Sequence, residues 1–279
     1  MRLVLLAVVV LACGPHGGVK RPYPELTVAE ILDRLAKVRE ARTSFTADST
    51  MDYWLANQRA KGEVLVMGTT GAKVRFAALS PAGGSTLAEM ACDGANFVYV
   101  DYQNNCALTG PCDQRSIAQF FHLELAPDDF VHLALGTPPV LANATGTVTW
   151  DADKGYERVA LTGPEGKQTL VIDAKDGKLD VISSELSGPD GKIKWSVTNA
   201  DFVDVDGQRL PAKTSFKSPA EKQDLLVDWG ERKINVPLDP SKFKLTAPAG
   251  LATCGQQAPP ASPPDGRPTT PPSAAKPKA

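Results

Sequence analysis

The sequence predicts a mainly β protein with few helices, built on one large curved antiparallel sheet. Turn-forming segments, Gly163-Pro164-Glu165-Gly166, Asp176-Gly177, Gly188-Pro189-Asp190-Gly191 and Asp206-Gly207, recur at steps of 12 to 18 residues, the spacing of hairpin-linked strands. Between two of these turns Ile193, Trp195 and Val197 alternate with Lys192, Lys194, Ser196 and Thr198, which buries one face of a strand and wets the other. Eleven such segments follow one another in order, a pattern that favours a meander over a parallel arrangement.

The elements follow in chain order. Thr27 and Glu30 form a capping box, and Val28, Ile31, Leu32, Leu35 and Val38 mark the apolar stripe of an amphipathic helix behind it. Strand-like segments run over Ser44 to Leu55, Ala60 to Met67, Ala72 to Leu79, Thr86 to Cys92 and Phe97 to Gln103. Residues 116–136 interrupt them with two short helical candidates. The second has Pro127 in its first turn, Asp128 and Asp129 at its positive end, and Gly136 closing it. Its apolar residues Phe130, Val131, Leu133 and Leu135 occupy more than one stripe, so this helix must be covered on both sides. Six further strands cover Tyr156 to Thr162, Lys167 to Asp173, Lys178 to Leu186, Lys192 to Asn199, Arg209 to Phe216 and Gln223 to Trp229.

Both ends differ from this middle. Arg2, an apolar run from Leu3 to Leu11, and small Ala12 before Cys13 read as a signal peptide over residues 1–12, too short to span a bilayer. The stretch Val10-Leu11-Ala12-Cys13 resembles the lipobox of bacterial lipoproteins, which implies cleavage before Cys13 and acylation of that residue. An ordinary secretory signal cut further on is the alternative. Residues 14–26 carry three glycines and three prolines without apolar periodicity, so 13–26 reads as the acylated cysteine and a flexible tether. Gly14 lacks the aspartate of inner-membrane retention, which makes the outer membrane, facing the periplasm, the default residence. Eight of the 23 prolines fall between Pro259 and Pro277, so residues 255–279 read as a disordered tail. Residues 27–254 remain as one domain. A formal net charge of −2 leaves no basic excess to recruit nucleic acid.

The middle segment resembles the lipoprotein-sorting family of LolA and LolB in the order of its pieces. These are the opening helix, Asp93-Gly94 before Phe97-Val98-Tyr99-Val100, a helical insert after the fifth strand with Leu133-Ala134-Leu135-Gly136, then Gly207-Gln208-Arg209-Leu210-Pro211, and Phe243 with Pro248 and Gly250. The resemblance implies an incomplete barrel with a helical lid over an apolar cavity, and it makes Phe120, Phe121, Phe130, Leu133 and Leu135 the lid and cavity residues. It also places Pro81-Ala82-Gly83 where LolB carries a membrane-facing Pro-Leu-Gly loop, with alanine in place of the inserting leucine. The ligands it implies are acyl chains of lipoproteins or lipids. A soluble carrier protein is an implied partner, and the membrane is reached through the lipid anchor.

Catalytic and cofactor patterns do not emerge. His16 lies in the tether, His122 and His132 lie in the helical insert as surface or lid residues, and neither HExxH nor GxSxG is present. The Asp173-Ala174-Lys175-Asp176-Gly177 stretch lacks the remaining oxygen ligands of a calcium loop and reads as a hairpin turn. A non-enzymatic protein without cofactor or metal is expected. Cys92, Cys106, Cys112 and Cys254 form an even set in an exported chain, hence two disulfides with three possible connectivities. Cys106–Cys112 with Cys92–Cys254 is the preferred pairing, and zinc on Cys106, Cys112 and His122 the sharper alternative. Three functional readings remain: lipid or lipoprotein handling in the cavity, a periplasmic sensor using the same fold, and a structural lipoprotein with a filled barrel.

Overall fold

Thr27 opens α1 (Val28–Ala41) through the expected capping box: its hydroxyl accepts from Glu30 N at 3.2 Å, and the Glu30 carboxylate accepts from Thr27 N at 2.7 Å. The structure is a computed structural model, and it describes residues 18–55, 58–81, 83–115, 125–220 and 222–255. Six strands follow α1: β1 (Ser44–Leu55), β2 (Gln58–Thr69), β3 (Lys73–Leu79), β4 (Thr86–Asp93), β5 (Asn96–Asp101) and β6 (Cys106–Pro111). Then come α2 (Pro127–Ala134), β7 (Thr145–Asp151), β8 (Tyr156–Gly163), β9 (Gly166–Asp173), β10 (Asp180–Ser187), β11 (Ile193–Val205), β12 (Gln208–Ser218), β13 (Gln223–Ile234) and β14 (Ala252–Thr253).

All fourteen strands join one sheet in the order β14-β6-β5-β4-β3-β2-β1-β13-β12-β11-β10-β9-β8-β7. β1–β6 and β7–β13 are each an antiparallel meander, β14 adds parallel to β6, and the halves are sewn together where β1 meets β13, from Phe45 opposite Ile234 to Leu55 opposite Gln223. The sheet does not close, because β7 and β14 are free edges. Register shifts at Ala47/Ser49, Ala78/Leu79, Val181/Ser183 and Leu186/Ser187 bend it into a curved, incomplete barrel.

Three strands escape the sequence pattern. The β6 segment contains both Gly110 and Pro111, β7 is largely exposed at the sheet edge although Thr145, Thr147 and Thr149 alternate with Gly146, Val148 and Trp150, and β14 is two residues long. The helical insert consequently follows the sixth strand, not the fifth.

The antiparallel order gives the barrel two distinct rims. The first carries the turns β2–β3, β4–β5, β7–β8, β9–β10 and β11–β12, and the second carries β1–β2, β3–β4, β5–β6, β8–β9, β10–β11 and β12–β13. Inside, Phe45, Val66, Phe76, Leu170, Val197 and Phe216 belong to one buried core with Ile31 and Leu35 of α1. α2 lies within this concavity and is apolar on most sides because it is covered on most sides: Phe130, Val131, Leu133 and Ala134 are all buried. A Cβ on Gly68 would come within 2.7 Å of the Phe45 ring and 3.1 Å of Val131, so β2 needs a glycine where the helix packs. On the convex face, the segment after β13 runs past β3 and β4, buries Phe243, and lays β14 beside β6.

Two expectations about the chain's connections are corrected. Residues 18–26 are packed against the domain, not part of a free tether. Val19 N donates to Ala152 O at 2.7 Å, Trp150 Nε1 donates to Val19 O at 2.7 Å, and the Arg21 guanidinium pairs with the fully buried Glu157 carboxylate at 2.9 Å. Glycine and proline content gave the tether reading, but Arg21 and Tyr23 supply a charge and a ring that the β7–β8 hairpin can bind. The disulfides are Cys92–Cys112 and Cys106–Cys254. The unpredicted strands decide this pairing: Cys112 N bonds to Ala95 O beside the end of β4, and β14 places Ala252 opposite Cys106. With all four sulfurs bonded, the zinc arrangement on Cys106 and Cys112 is overturned.

Candidate functional site

Two clefts open from the concave face, separated by α2. The first, about 640 Å³, lies between α1, residues 137–142 and the inner face of β9–β11. Leu32, Leu35, Leu141, Leu170, Leu186 and Trp195 make its apolar wall, while Arg39, Asp129, Glu165, Gln168 and Lys194 add polar groups. The second, about 480 Å³, lies within β1–β5 and reaches the second rim at Lys61, Glu63, Pro81 and Gln103. Met51, Tyr53, Val64, Phe76, Leu87 and Met90 line its interior, and Phe130 of α2 and Leu225 form part of its wall. Burial pushes the Tyr53 and Tyr99 phenols up, so both meet the cleft as neutral rings. Volumes of this size match ordinary small-molecule sites.

The helix between the clefts is held at both ends. At its N-terminus Asp128 Oδ1 accepts from Gly71 N at 2.9 Å, tying α2 to the β2–β3 turn, and Asp129 pairs with Arg39 at 2.8 Å. The two acids therefore bind neighbours as well as favouring the positive end of the helix. At its C-terminus Arg42 Nη1 donates to Leu135 O at 2.6 Å, and Arg232 Nη1 donates to Ala134 O at 3.1 Å. Each arginine also bonds a β12 carbonyl, Arg209 O for Arg42 and Pro211 O for Arg232. Burial lowers both guanidinium pKa values to about 10. These cations satisfy carbonyls that a helix end leaves unpaired. Gly136, at φ +73°, then turns the chain away beneath Pro211.

The expected site residues fall into distinct places. Phe130 lines the second cleft and stacks edge-on against Phe76 at 4.9 Å between centroids. Leu133 lines a void of about 20 Å³ against Phe216, Leu225 and Trp229. Leu135 is corrected: it is fully buried in the core and touches neither cleft, because the helix ends before it and Arg42 pins its carbonyl. His132, read as a surface or lid residue, is buried beside Asp128 and Thr137, and burial lowers its pKa to about 4. Pro81 borders the second cleft, and Gly83 follows it in the β3–β4 loop, closed by Ser80 N to Ser85 O at 2.8 Å. Cys13, Ala82, Phe120, Phe121 and His122 lie outside the described residues.

Sequence reasoning missed the strand contribution to both clefts. Met51, Tyr53, Met90 and Trp195 sit at alternate, inward positions of their strands, which was the available signal. Which inward residues face a void and which face a neighbour is decided by α2. Among the described residues, no group of three His, Cys, Asp or Glu side chains is placed to hold a metal ion.

The architecture is an open, mainly antiparallel barrel with an internal helix and a cleft on either side of it, and the fold is LolA/LolB-like. The chain is similar to the LolA superfamily protein of Nitrosomonas europaea, at 12% identity and a TM-score of 0.53, over 79% of this chain and 99% of that one. It is similar to a DUF1329 family protein of Desulfovibrio piger at 11% identity and a TM-score of 0.53, over 77% and 94% of the two chains. An outer membrane lipoprotein-sorting protein domain of Vibrio parahaemolyticus aligns at 12% identity and a TM-score of 0.50, over 75% and 94%. No protein-family model matches the sequence, and no curated protein does.

Proposed function

We propose that this protein is an outer-membrane lipoprotein, acylated at Cys13, that binds acyl chains of lipoproteins or lipids without catalysis and takes part in their transfer. The observation that carries this reading is the cleft of about 480 Å³ walled by Met51, Tyr53, Val64, Phe76, Met90 and Phe130. Burying a methylene there is worth about 0.8 kcal/mol, so a chain of ordinary length supplies ample driving force. The lipoprotein-sorting description of the Vibrio domain supports the same ligand class. The cleft of about 640 Å³, with Arg39, Gln168 and Lys194 among its lining, suits a more polar portion of such a ligand.

Binding of a fluorescent fatty-acyl probe to the folded domain tests the reading. Ala78 lines the second cleft and Ala36 the first, and neither is part of the buried core. Ala78→Trp is expected to weaken binding at least about tenfold, a loss of ~1.4 kcal/mol, while Ala36→Trp leaves acyl affinity close to the parent's. A folded parent that binds no probe overturns the reading and favours a structural lipoprotein. Retention of an unidentified signalling protein by the acyl-loaded form alone would favour the sensor.

A further inference from the structure

We infer that the first rim of the barrel is the membrane-proximal face, and that both the second cleft's mouth and the Pro81–Gly83 loop point away from the bilayer that holds the anchor. The inference rests on the acylation of Cys13 proposed above. Its structural basis is the docking of the chain immediately after that residue.

Gly18 and Val19 lie on the β7–β8 turn, which belongs to the first rim. Val19 is hydrogen-bonded on both sides, from its N–H to Ala152 O and from Trp150 Nε1 to its carbonyl. A Cβ on Gly155 would stand 3.1 Å from the Val19 side chain, and a Cβ on Gly18 would stand 2.8 Å from Ala152 Cβ. Two residues further on, Arg21 lies 5.5 Å over the Trp150 ring and grips buried Glu157, and Tyr23 meets Trp150 edge-on at 6.0 Å. Breaking this seating would leave Glu157 desolvated without its partner, which is a strong restraint.

Chain length then sets the orientation. From Cys13 to Val19 there are six Cα steps, a reach of ~20 Å when fully extended. Strand β8, which starts at the docked turn and ends on the second rim, has eight residues, and the central β1 and β11 have 12 and 13. At about 3.3 Å per residue these span ~26 to 43 Å. A lipid attached at Cys13 therefore reaches the bilayer from the first rim and cannot bring the second rim to the same surface while residues 18–23 stay docked. The second cleft is lined at the far rim by Lys61, Glu63, Pro81 and Gln103, so its mouth faces the aqueous phase. An acyl chain then arrives from the aqueous side, and the Pro81–Gly83 loop does not enter the anchoring membrane.

Energy transfer in vesicles tests this orientation. The acylated full-length chain, carrying a single added thiol at Lys154→Cys on the first rim or at Lys192→Cys on the second, is labelled with a donor dye. It is reconstituted into phosphatidylethanolamine–phosphatidylglycerol vesicles with a headgroup acceptor. Transfer several-fold greater from position 154 than from position 192 is expected, and adding Trp150→Ala with Arg21→Ala should reduce that difference. Equal transfer, or greater transfer from position 192, overturns the orientation. Acyl groups missing from Cys13 by mass spectrometry would defeat the anchoring and the orientation together. Absence of acyl-probe binding with the transfer difference intact would defeat the ligand reading alone.

Discussion

Arg42 Nη1 donates to the Leu135 carbonyl at 2.6 Å, so the residue that ends α1 also caps α2, 93 positions later in the chain. The same guanidinium bonds Gln208 Oε1 at 2.8 Å and Arg209 O at 3.0 Å, joining both helices to the start of β12. Replacing it by methionine keeps the apolar stem but removes the donor from the buried Leu135 carbonyl and from two partly buried acceptors. We expect Arg42→Met to lower stability by about 3 kcal/mol in urea unfolding. Arg232→Met should cost a similar amount, and the double variant less than the sum, because both cations serve one helix end.

His132 gives the fold a pH dependence of definite sign. Its pKa falls from 6.5 to about 4, chiefly by burial and secondarily by Arg39. Between those values the unfolded chain carries a proton that the folded chain rejects, so stability rises with pH across this window and is flat above it. The change amounts to about 3 kcal/mol. Thermal melts at closely spaced pH should show it in the parent, and His132→Gln should flatten it. An unchanged slope in the variant would assign the effect to another group.

The disulfides stabilise to different degrees. Cys106–Cys254 closes 148 residues and Cys92–Cys112 closes 20. Chain-entropy arguments assign about 5 and about 3 kcal/mol to these loops as upper values. Paired serine substitution at 106 and 254 should therefore cost more than at 92 and 112. A non-reduced digest should yield peptides joining 92 to 112 and 106 to 254. Recovery of a 106–112 peptide would contradict the placement of β6 and β14.

Glu157 has no exposed side-chain area, and Arg21 is its cation. Arg21→Ala strands a buried carboxylate and should destabilise by about 3 kcal/mol or more. Arg21→Met combined with Glu157→Leu should recover most of that loss, since apolar packing substitutes well for a buried ion pair. If both chains melt with the parent, residues 18–26 are not part of the folded unit.

Much of the architecture is legible in the residues themselves. The capping box at Thr27 and Glu30, the alternation around Trp195, and the turns at Gly163–Gly166, Asp176-Gly177 and Asp206-Gly207 are local signals, because hydrogen bonds and turn dihedrals act over a few residues. They determine α1, eleven of the strands, α2 with its proline start, and the antiparallel order that makes a curved sheet. Tertiary structure alone decides the rest. β6 and β14 are strands because neighbours offer them hydrogen bonds, not because their residues alternate, and β7 alternates but lies largely exposed at the sheet edge. The cysteine pairing depends on those strands, so it could not precede them. Arg21, Arg42, Arg232 and His132 look like surface residues in sequence, yet Arg42, Arg232 and His132 are buried and Arg21 is partly so, through partners at least 90 positions away or a helix packed within the sheet. The apolar character of Phe130 and Leu135 is equal in sequence. Only packing makes one the wall of a cleft and the other the core, since an empty space is a property of every surface around it.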